Sequence, residues 1–476
     1  MDEEDCVLAE PEETQTENPG KRKGKAEIDM ISGPLFSGLF RFSLPVVLTG
    51  LLNLLYNAAD LIVVGRFASN GAHAMTAVGS TGSLVSLIVS LFLGISVGAS
   101  VSVAIALGAK DDRDASLLTH TSVALSLILG AGIGLIGFLF APQFLSWMNC
   151  PPEIIGDASL YLRIFFCGAP GNMLYNFGAA IMRTTGDTRR PLYILAGAGL
   201  VNVLLNLLFV VGFSLSVAGV AIATITSQYL SAFAVVFCLC RYKNACRLDL
   251  KKIRLHKNQL SRILIRGVPS GIQSSLFAVS NVLIQSSINS LGPVVMAGST
   301  TASSIEGFVY VSQNAQAAAA MTFVGQNVGA RNLKRIPRVI LFSLLHVMIA
   351  WAIVSGATML FHVPLMKLYL PNSPDSIAEG TVQLLLVGGT YFLCGFMEVM
   401  SGSLRGMGSS IAPTVTAVAA ICGFRVAWIT FVVPHNHTLL TLYLSYPISW
   451  ILAIAVYIPL IAVKLKHLKS GKAVVR

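Results

Sequence analysis

The sequence is poor in charge: Asp, Glu, Lys and Arg make up 12% of its residues, about half the share of a soluble globular domain. That excludes an ordinary water-soluble fold, and 54% hydrophobic content with a mean hydropathy of +0.72 points the same way. Cysteine supplies no framework. The eight residues, at 6, 150, 167, 238, 240, 246, 394 and 422, show neither disulfide-like nor metal-like spacing. Cys238 and Cys240, without His partners nearby, read as small apolar packing residues. No Gly-x-x-x-x-Gly-Lys-Ser/Thr occurs, so the chain carries no ATP site of its own. No Ser/His/Asp set or metal-ligand cluster stands out in the apolar runs, which argues against an enzyme and against a cofactor. No apolar stretch precedes residue 35, so a cleavable signal peptide is not expected. Residues 1–35, acidic and then basic, read as a disordered cytoplasmic tail.

Long apolar runs are what the chain has instead. Breaks rich in charge, Pro or Gly divide it into twelve spans, near 36–65, 74–108, 115–141, 154–182, 190–212, 216–240, 262–290, 294–328, 336–361, 376–404, 411–434 and 439–465. The net charge of +11 looks like a nucleic-acid footprint until the charges are placed. With the N-terminus inside, 29 of the 33 Lys and Arg fall in the tails and loops of one side. That is the asymmetry of a membrane topology, with both termini in the cytoplasm and no nucleic-acid partner. The expected setting is a bacterial-type plasma (inner) membrane, crossed many times, most simply by a monomer.

The two halves repeat. Pro45 and Pro269 lie early in spans one and seven. Gly108-Ala109-Lys110 ends span two and Gly329-Ala330-Arg331 ends span eight. Arg183-x-x-Gly186-x-x-x-x-Pro191 follows span four, and Arg405-x-x-Gly408-x-x-x-x-Pro413 follows span ten. The offsets are 224, 221 and 222 residues. Six spans per half give both halves one orientation, so the expected fold is an all-α polytopic membrane protein of twelve transmembrane helices in two parallel-repeat six-helix lobes. The expected boundaries are an N-lobe at 36–241, a basic solvated linker at 242–261, a C-lobe at 262–466 and a cytoplasmic tail at 467–476.

Three carboxylates lie well inside spans: Asp60, Glu306 and Glu398. A charge in hydrocarbon is costly, so each must face a cavity or a partner. Asp60 lies about 9 Å inside Arg66, in the outer half of span one. Asn202 and Asn206 share one face of span five, Asn172 and Asn176 one face of span four, and Thr224 lies a few turns into span six. Such amides and hydroxyls around a carboxylate suit Na⁺, or a carboxyl that takes and releases a proton. The bland reading of each Asn is interhelical hydrogen bonding. In the C-lobe, Glu306 and Glu398 are candidates for a cationic substrate or a second proton, and Arg425 in span eleven is a candidate for neutralising one of them. Gln273, Asn281, Gln285 and Asn289 make span seven unusually polar, either lining a cavity or bridging helices. His120 and His346, in the third span of each half, read as packing or bridging residues.

Together these motifs resemble the multidrug and toxic compound extrusion (MATE) family: Pro45 and Asp60 of span one, Arg183-x-x-Gly-Asp-x-x-x-Pro191, Asn202-x-x-x-Asn206, and Leu404-Arg-Gly-x-Gly408. The resemblance covers roughly residues 36–465. It implies two six-helix lobes in a V, and export of organic cations or amphipathic drugs in exchange for H⁺ or Na⁺. It also implies that Asp60, Asn176, Asn202, Asn206 and Thr224 form the coupling-ion site, and that Glu306 is a second titrating or substrate-binding group. Some members carry Asp where this chain has Asn206. The alternative is a flippase or exporter of a lipid-linked or amphipathic metabolite in a related two-lobe fold, which favours a cationic cavity.

Overall fold

Each predicted span is helical in the computed structural model, which describes residues 28–67, 71–148, 150–436 and 438–470. The expectations for residues 1–27 and 471–476 lie outside the described residues. Spans one to three are Leu35–Phe67, Gly71–Gly108 and Asp112–Trp147. Span four is broken at Gly168 into Ile155–Cys167 and Ala169–Thr184. Pro170 explains the break, since it removes a helical N–H and crowds the preceding turn. Spans five and six are Arg189–Gly212 and Ser216–Cys240. Spans seven and eight are Lys257–Asn289 and Pro293–Gly329. Span nine is Ile336–Leu360, followed by the short helix His362–Tyr369. Spans ten to twelve are Pro374–Gly406, Ile411–His435 and Leu439–Lys469. Among the described residues, nine of these helices are long and apolar enough to cross a membrane on composition alone. The other three are the broken span four and the polar spans seven and eight.

The sequence repeat is also a repeat of backbone geometry. Four helices end with the same pair of hydrogen bonds. Gly186 N–H donates to Arg183 O and Asp187 N–H to Met182 O; Gly408 donates to Arg405 O and Ser409 to Leu404 O. Lys110 and Asp111 bond Leu107 and Ala106, as Arg331 and Asn332 bond Val328 and Asn327. This C-terminal cap needs a left-handed residue. Gly186 and Gly408 supply it at φ +89° and +78°, whereas Lys110 and Arg331 adopt +56° and +55° despite their side chains. Packing repeats as well: span one lies on span eight as span seven lies on span two. Spans five and eleven each contain a π-helical turn, Leu208–Gly212 and Val418–Gly423, and span nine has a third at Trp351–Ser355.

The two halves meet most tightly toward the end that carries the basic loops. Gly94, Gly98 and Gly108 of span two lie against backbone of spans seven and eight, at Gly271, at Ile263 with Gly267, and at Gln326. A Cβ at any of the three would collide with main chain. All hydrogen bonds between the halves, among the described residues, also lie at this end. Arg266 Nη1 donates to Ser102 Oγ at 2.8 Å, Gln326 Nε2 to Thr184 O at 2.6 Å, and Asn327 Nδ2 to Met30 O at 3.1 Å. Arg262 pairs with Asp114 at 2.6 Å.

The basic linker departs from the expected solvated strand. Tyr242, Cys246 and Leu248 are buried in the core of the first six helices. Tyr242 OH donates to Asp187 Oδ2 at 3.0 Å, and the Asp249 N–H donates to His120 Nε2 at 3.0 Å. His120 is therefore a bridge to the linker. The helix of span seven already begins at Lys257, inside the stretch expected to be linker. Basic composition marks the exposed side chains and hides the apolar ones between them, which do the anchoring.

Candidate functional site

Four helices place Asp60. Span one approaches span five closely because Gly199 has no side chain; a Cβ there would strike the Tyr56 ring, whose hydroxyl donates to Ala196 O at 3.2 Å. One turn beyond Tyr56, the Asp60 carboxylate meets span five. Asn206 Nδ2 donates to Asp60 Oδ1 at 2.5 Å and lies 3.3 Å from Asn202 Oδ1. Thr224 Oγ1 lies 3.4 Å from Asp60 Oδ2 and 2.9 Å from Val220 O, and Asn202 Nδ2 reaches it at 3.5 Å. A hydroxyl has one proton, so Thr224 donates either to the nearer Val220 carbonyl or to the ionised Asp60 carboxylate. Asn202 and Asn206 are buried, and Asn206 Oδ1 has no partner among the described residues.

Asp60, Asn202, Asn206 and Thr224 thus converge as expected, and Asn176 does not join them. Its amide donates to Asn172 O at 2.8 Å and to Asn172 Oδ1 at 3.0 Å, within its own helix. Depth is the reason. Asn206, Thr224 and Asp60 each lie six to eight residues from the outer helix ends, whereas Asn176 lies about three times as deep along span four. At Asp60's level span four offers Tyr161 instead. Tyr161 is buried beside Val63 and Val64 and lies within Coulombic reach of Asp60. No spacing signal marks it, because the break at Gly168 decouples the two segments of its span.

The second carboxylate, Glu306, is buried in span eight. Gln383 of span ten organises it: Gln383 Nε2 donates to Glu306 Oε2 at 3.1 Å and to Ser303 Oγ at 3.0 Å, while its Oε1 accepts from Ser299 Oγ at 2.7 Å. Glu306 Oε1 has no partner among the described residues. Ser303 also lines an open cavity of about 490 Å³ with Gln285, Asn289 and Thr300. Two of the span-seven amides therefore face this vestibule, and Gln285 Nε2 donates to Asn289 Oδ1 at 2.9 Å. Asn281 is exposed, and Gln273 is buried about 120° around the helix from Gln285. Gln383 carried no sequence signal, being a single amide in a polar helix start.

Arg425 does not neutralise a carboxylate among the described residues. Its Nε donates to Ser449 Oγ at 3.1 Å, and its guanidinium lies 4.2 Å from the Tyr446 ring centroid. An aromatic face and a hydroxyl hold it in place. Glu398 lies 15 residues beyond Gln383 on span ten, about 22 Å along the axis, and so at a different level from Glu306. It lines an inter-lobe cavity of about 230 Å³ with Arg183 and Arg405. Both arginines were expected in loops. Both instead sit in the last turn of a helix, facing inward.

Twelve helices in two like-oriented sixes, meeting at one end and holding buried carboxylate clusters away from that seam, define a two-lobed membrane transporter. The sequence comparisons name the family. The MatE family matches residues 45–208 and 269–429, two stretches that begin at the paired Pro45 and Pro269, and the chain belongs to that family. It is similar to the probable multidrug resistance proteins YoeA and YpnP of Bacillus subtilis. YoeA is 25% identical over 86% of this chain and 89% of its own length, and YpnP is 26% identical over 80% and 85%. In fold it is similar to an outward-facing multidrug resistance MATE family transporter of the MOP superfamily, with a TM-score of 0.85, 21% identity, and coverage of 94% of this chain and all of that one.

Proposed function

We propose that this chain is a secondary-active efflux antiporter, exporting organic cations in exchange for H⁺ or Na⁺ by alternating access. The observation that carries the reading is the Asp60 cluster: one carboxylate in an apolar span, held by Asn206 and facing Thr224. Ionised, Asp60 accepts from Asn206. Protonated, it becomes a donor, and Thr224, with its own proton turned to Val220 O, is the matching acceptor. For Na⁺ the available oxygens are those of Asp60, Thr224 and the unpartnered Asn206 Oδ1. Either ion cancels the buried charge, which changes the cost of holding the site in one lobe arrangement over the other. A tenfold ion gradient supplies about 1.4 kcal/mol and 100 mV about 2.3 kcal/mol per charge, enough to drive export without ATP.

The one-sided basic loops support a cytoplasmic setting for the tight end and both termini. Glu306, with one oxygen unpartnered and a neighbour on the vestibule, is the candidate for the cationic group of the cargo. The test is efflux of a fluorescent organic cation from proteoliposomes, with H⁺ and Na⁺ gradients imposed separately. Asp60→Asn is expected to insert normally and to lose the gradient-driven component. Undiminished transport by that variant under both gradients sinks the reading.

A further inference from the structure

Arg183 and Arg405 occupy equivalent places in the two halves, and they face one cavity. Each lies in the last turn of its helix, and the carbonyl oxygen of each accepts from the N–H of a left-handed glycine three residues on. The cap therefore fixes both backbones in the same way, and the approximate twofold relation of the halves brings the side chains to a common space of about 230 Å³. Neither guanidinium has an ion pair or hydrogen bond among the described residues, and Arg405 Nε is buried without a partner. Nearby carboxylates are committed elsewhere: Asp187 to Tyr242 and Arg190, Asp114 to Arg262 and Gln259. Glu398, two helical turns from Arg405 on the same face, lines the cavity without an ion pair to either arginine.

Two like charges sharing a small cavity repel, both side chains are half-buried, and the buried Arg405 Nε is costly to leave without a partner. A helix-packing role would have given them carbonyls or carboxylates. What satisfies both is an oxyanion with several acceptor oxygens, since guanidinium forks match phosphate and carboxylate. The volume is smaller than a drug-sized pocket, so it suits a head group and not a whole ligand. Phe42, Val46 and Met321 add apolar surface, and Ser96, Ser100, Asn314 and Thr322 add hydroxyls and an amide.

We propose that Arg183 and Arg405 form an anion subsite between the lobes, which holds the phosphate or carboxylate of an amphipathic cargo. Glu398 sets its selectivity, disfavouring a free dianion and accepting the ammonium of a zwitterion. The cargo would then extend beyond simple cations. That consequence rests on the inter-lobe space being the export route, but anion binding itself does not depend on Asp60.

The test uses the full chain in nanodiscs of zwitterionic phosphatidylcholine, with two fluorescent probes that differ by one phosphate, riboflavin 5′-phosphate and riboflavin. Wild type is expected to bind the phosphate form roughly tenfold more tightly, and Arg183→Gln or Arg405→Gln to erase the difference without moving riboflavin. Glu398→Gln is expected to tighten the phosphate form several-fold, a gain that misfolding cannot mimic. Asp60→Asn shifts the lobe arrangement for both probes alike and is expected to keep the preference for the phosphate form, which separates this site from ion coupling. Nanodiscs with one-fifth phosphatidylglycerol assign the source. Loss of probe binding there, restored by neither arginine variant, places a lipid phosphate in the site, and undiminished binding places a soluble one. Equal affinities for the two probes in wild type, or an Arg183→Gln/Arg405→Gln double variant that still prefers the phosphate, overturns the proposal.

Discussion

Arg262 grips Asp114 with both arms of its guanidinium, Nη1 to Oδ1 at 3.1 Å and Nη2 to Oδ2 at 2.6 Å, tying the start of span seven to the start of span three. Gln259 reaches the same Asp114 oxygen at 3.1 Å. The pair is only partly exposed, so its bidentate geometry is less screened than on an open surface. An arrangement that opens this end must break it. Asp114→Asn is expected to cost the closed form about 1–2 kcal/mol, roughly a 5- to 30-fold population shift. Distances between spin labels on spans three and seven would lengthen, and the swap Asp114→Arg with Arg262→Asp would bring them back. Unchanged distances in the single variant rule out a latch.

Asn206→Leu keeps the volume of the site and removes the donor to Asp60. Hydrogen bonds to charged groups contribute about 1.5–3 kcal/mol, so a tenfold or larger loss of gradient-driven efflux is expected. Ion-independent binding of the fluorescent cation should stay near wild type. Asn176→Leu, whose amide is spent on Asn172, should leave coupling intact, and a comparable loss there would show that the depth argument fails.

The glycine seam gives a contrast within one fold. Gly98→Leu places a side chain where the Gly267 backbone lies, and should abolish transport by holding span two off span seven. Gly132→Ala, in span three, meets nothing within 4 Å and should be silent or slightly stabilising, since alanine favours helix. Equal activity for both variants would mean the seam is not under pressure.

Lys110 and Arg331 sit in left-handed backbone that glycine adopts freely. Lys110→Gly and Arg331→Gly are each expected to raise stability by about 1 kcal/mol, read as a higher melting temperature in detergent. A lower melting temperature would show that the side chains earn their position by contacts the cap geometry does not reveal.

The spans, the repeat and the Asp60 cluster were readable from the sequence because each has a period. Apolar length marks a helix, a fixed offset marks the repeat, and i,i+4 spacing puts Asn202 with Asn206. Gln383 and Tyr161 have no period, and only the fold brings them to Glu306 and Asp60. Arg183 and Arg405 were hidden differently. A basic residue in a helix's last turn looks the same in sequence whether it meets water or a neighbouring lobe. The π-turns after Asn206 and before Arg425 left no compositional trace either, although such turns often mark functional positions.

The seam of Gly94, Gly98 and Gly108 joins the halves through main chain. Side chains that interlock must find new rotamers each time a joint opens and closes, and each failed fit is a delay. Bare backbone faces have no rotamers to search. They part as soon as water wets them and meet again in the same register. For the alternating-access cycle proposed above, these glycines turn the slow step of re-closing from a packing problem into a wetting problem.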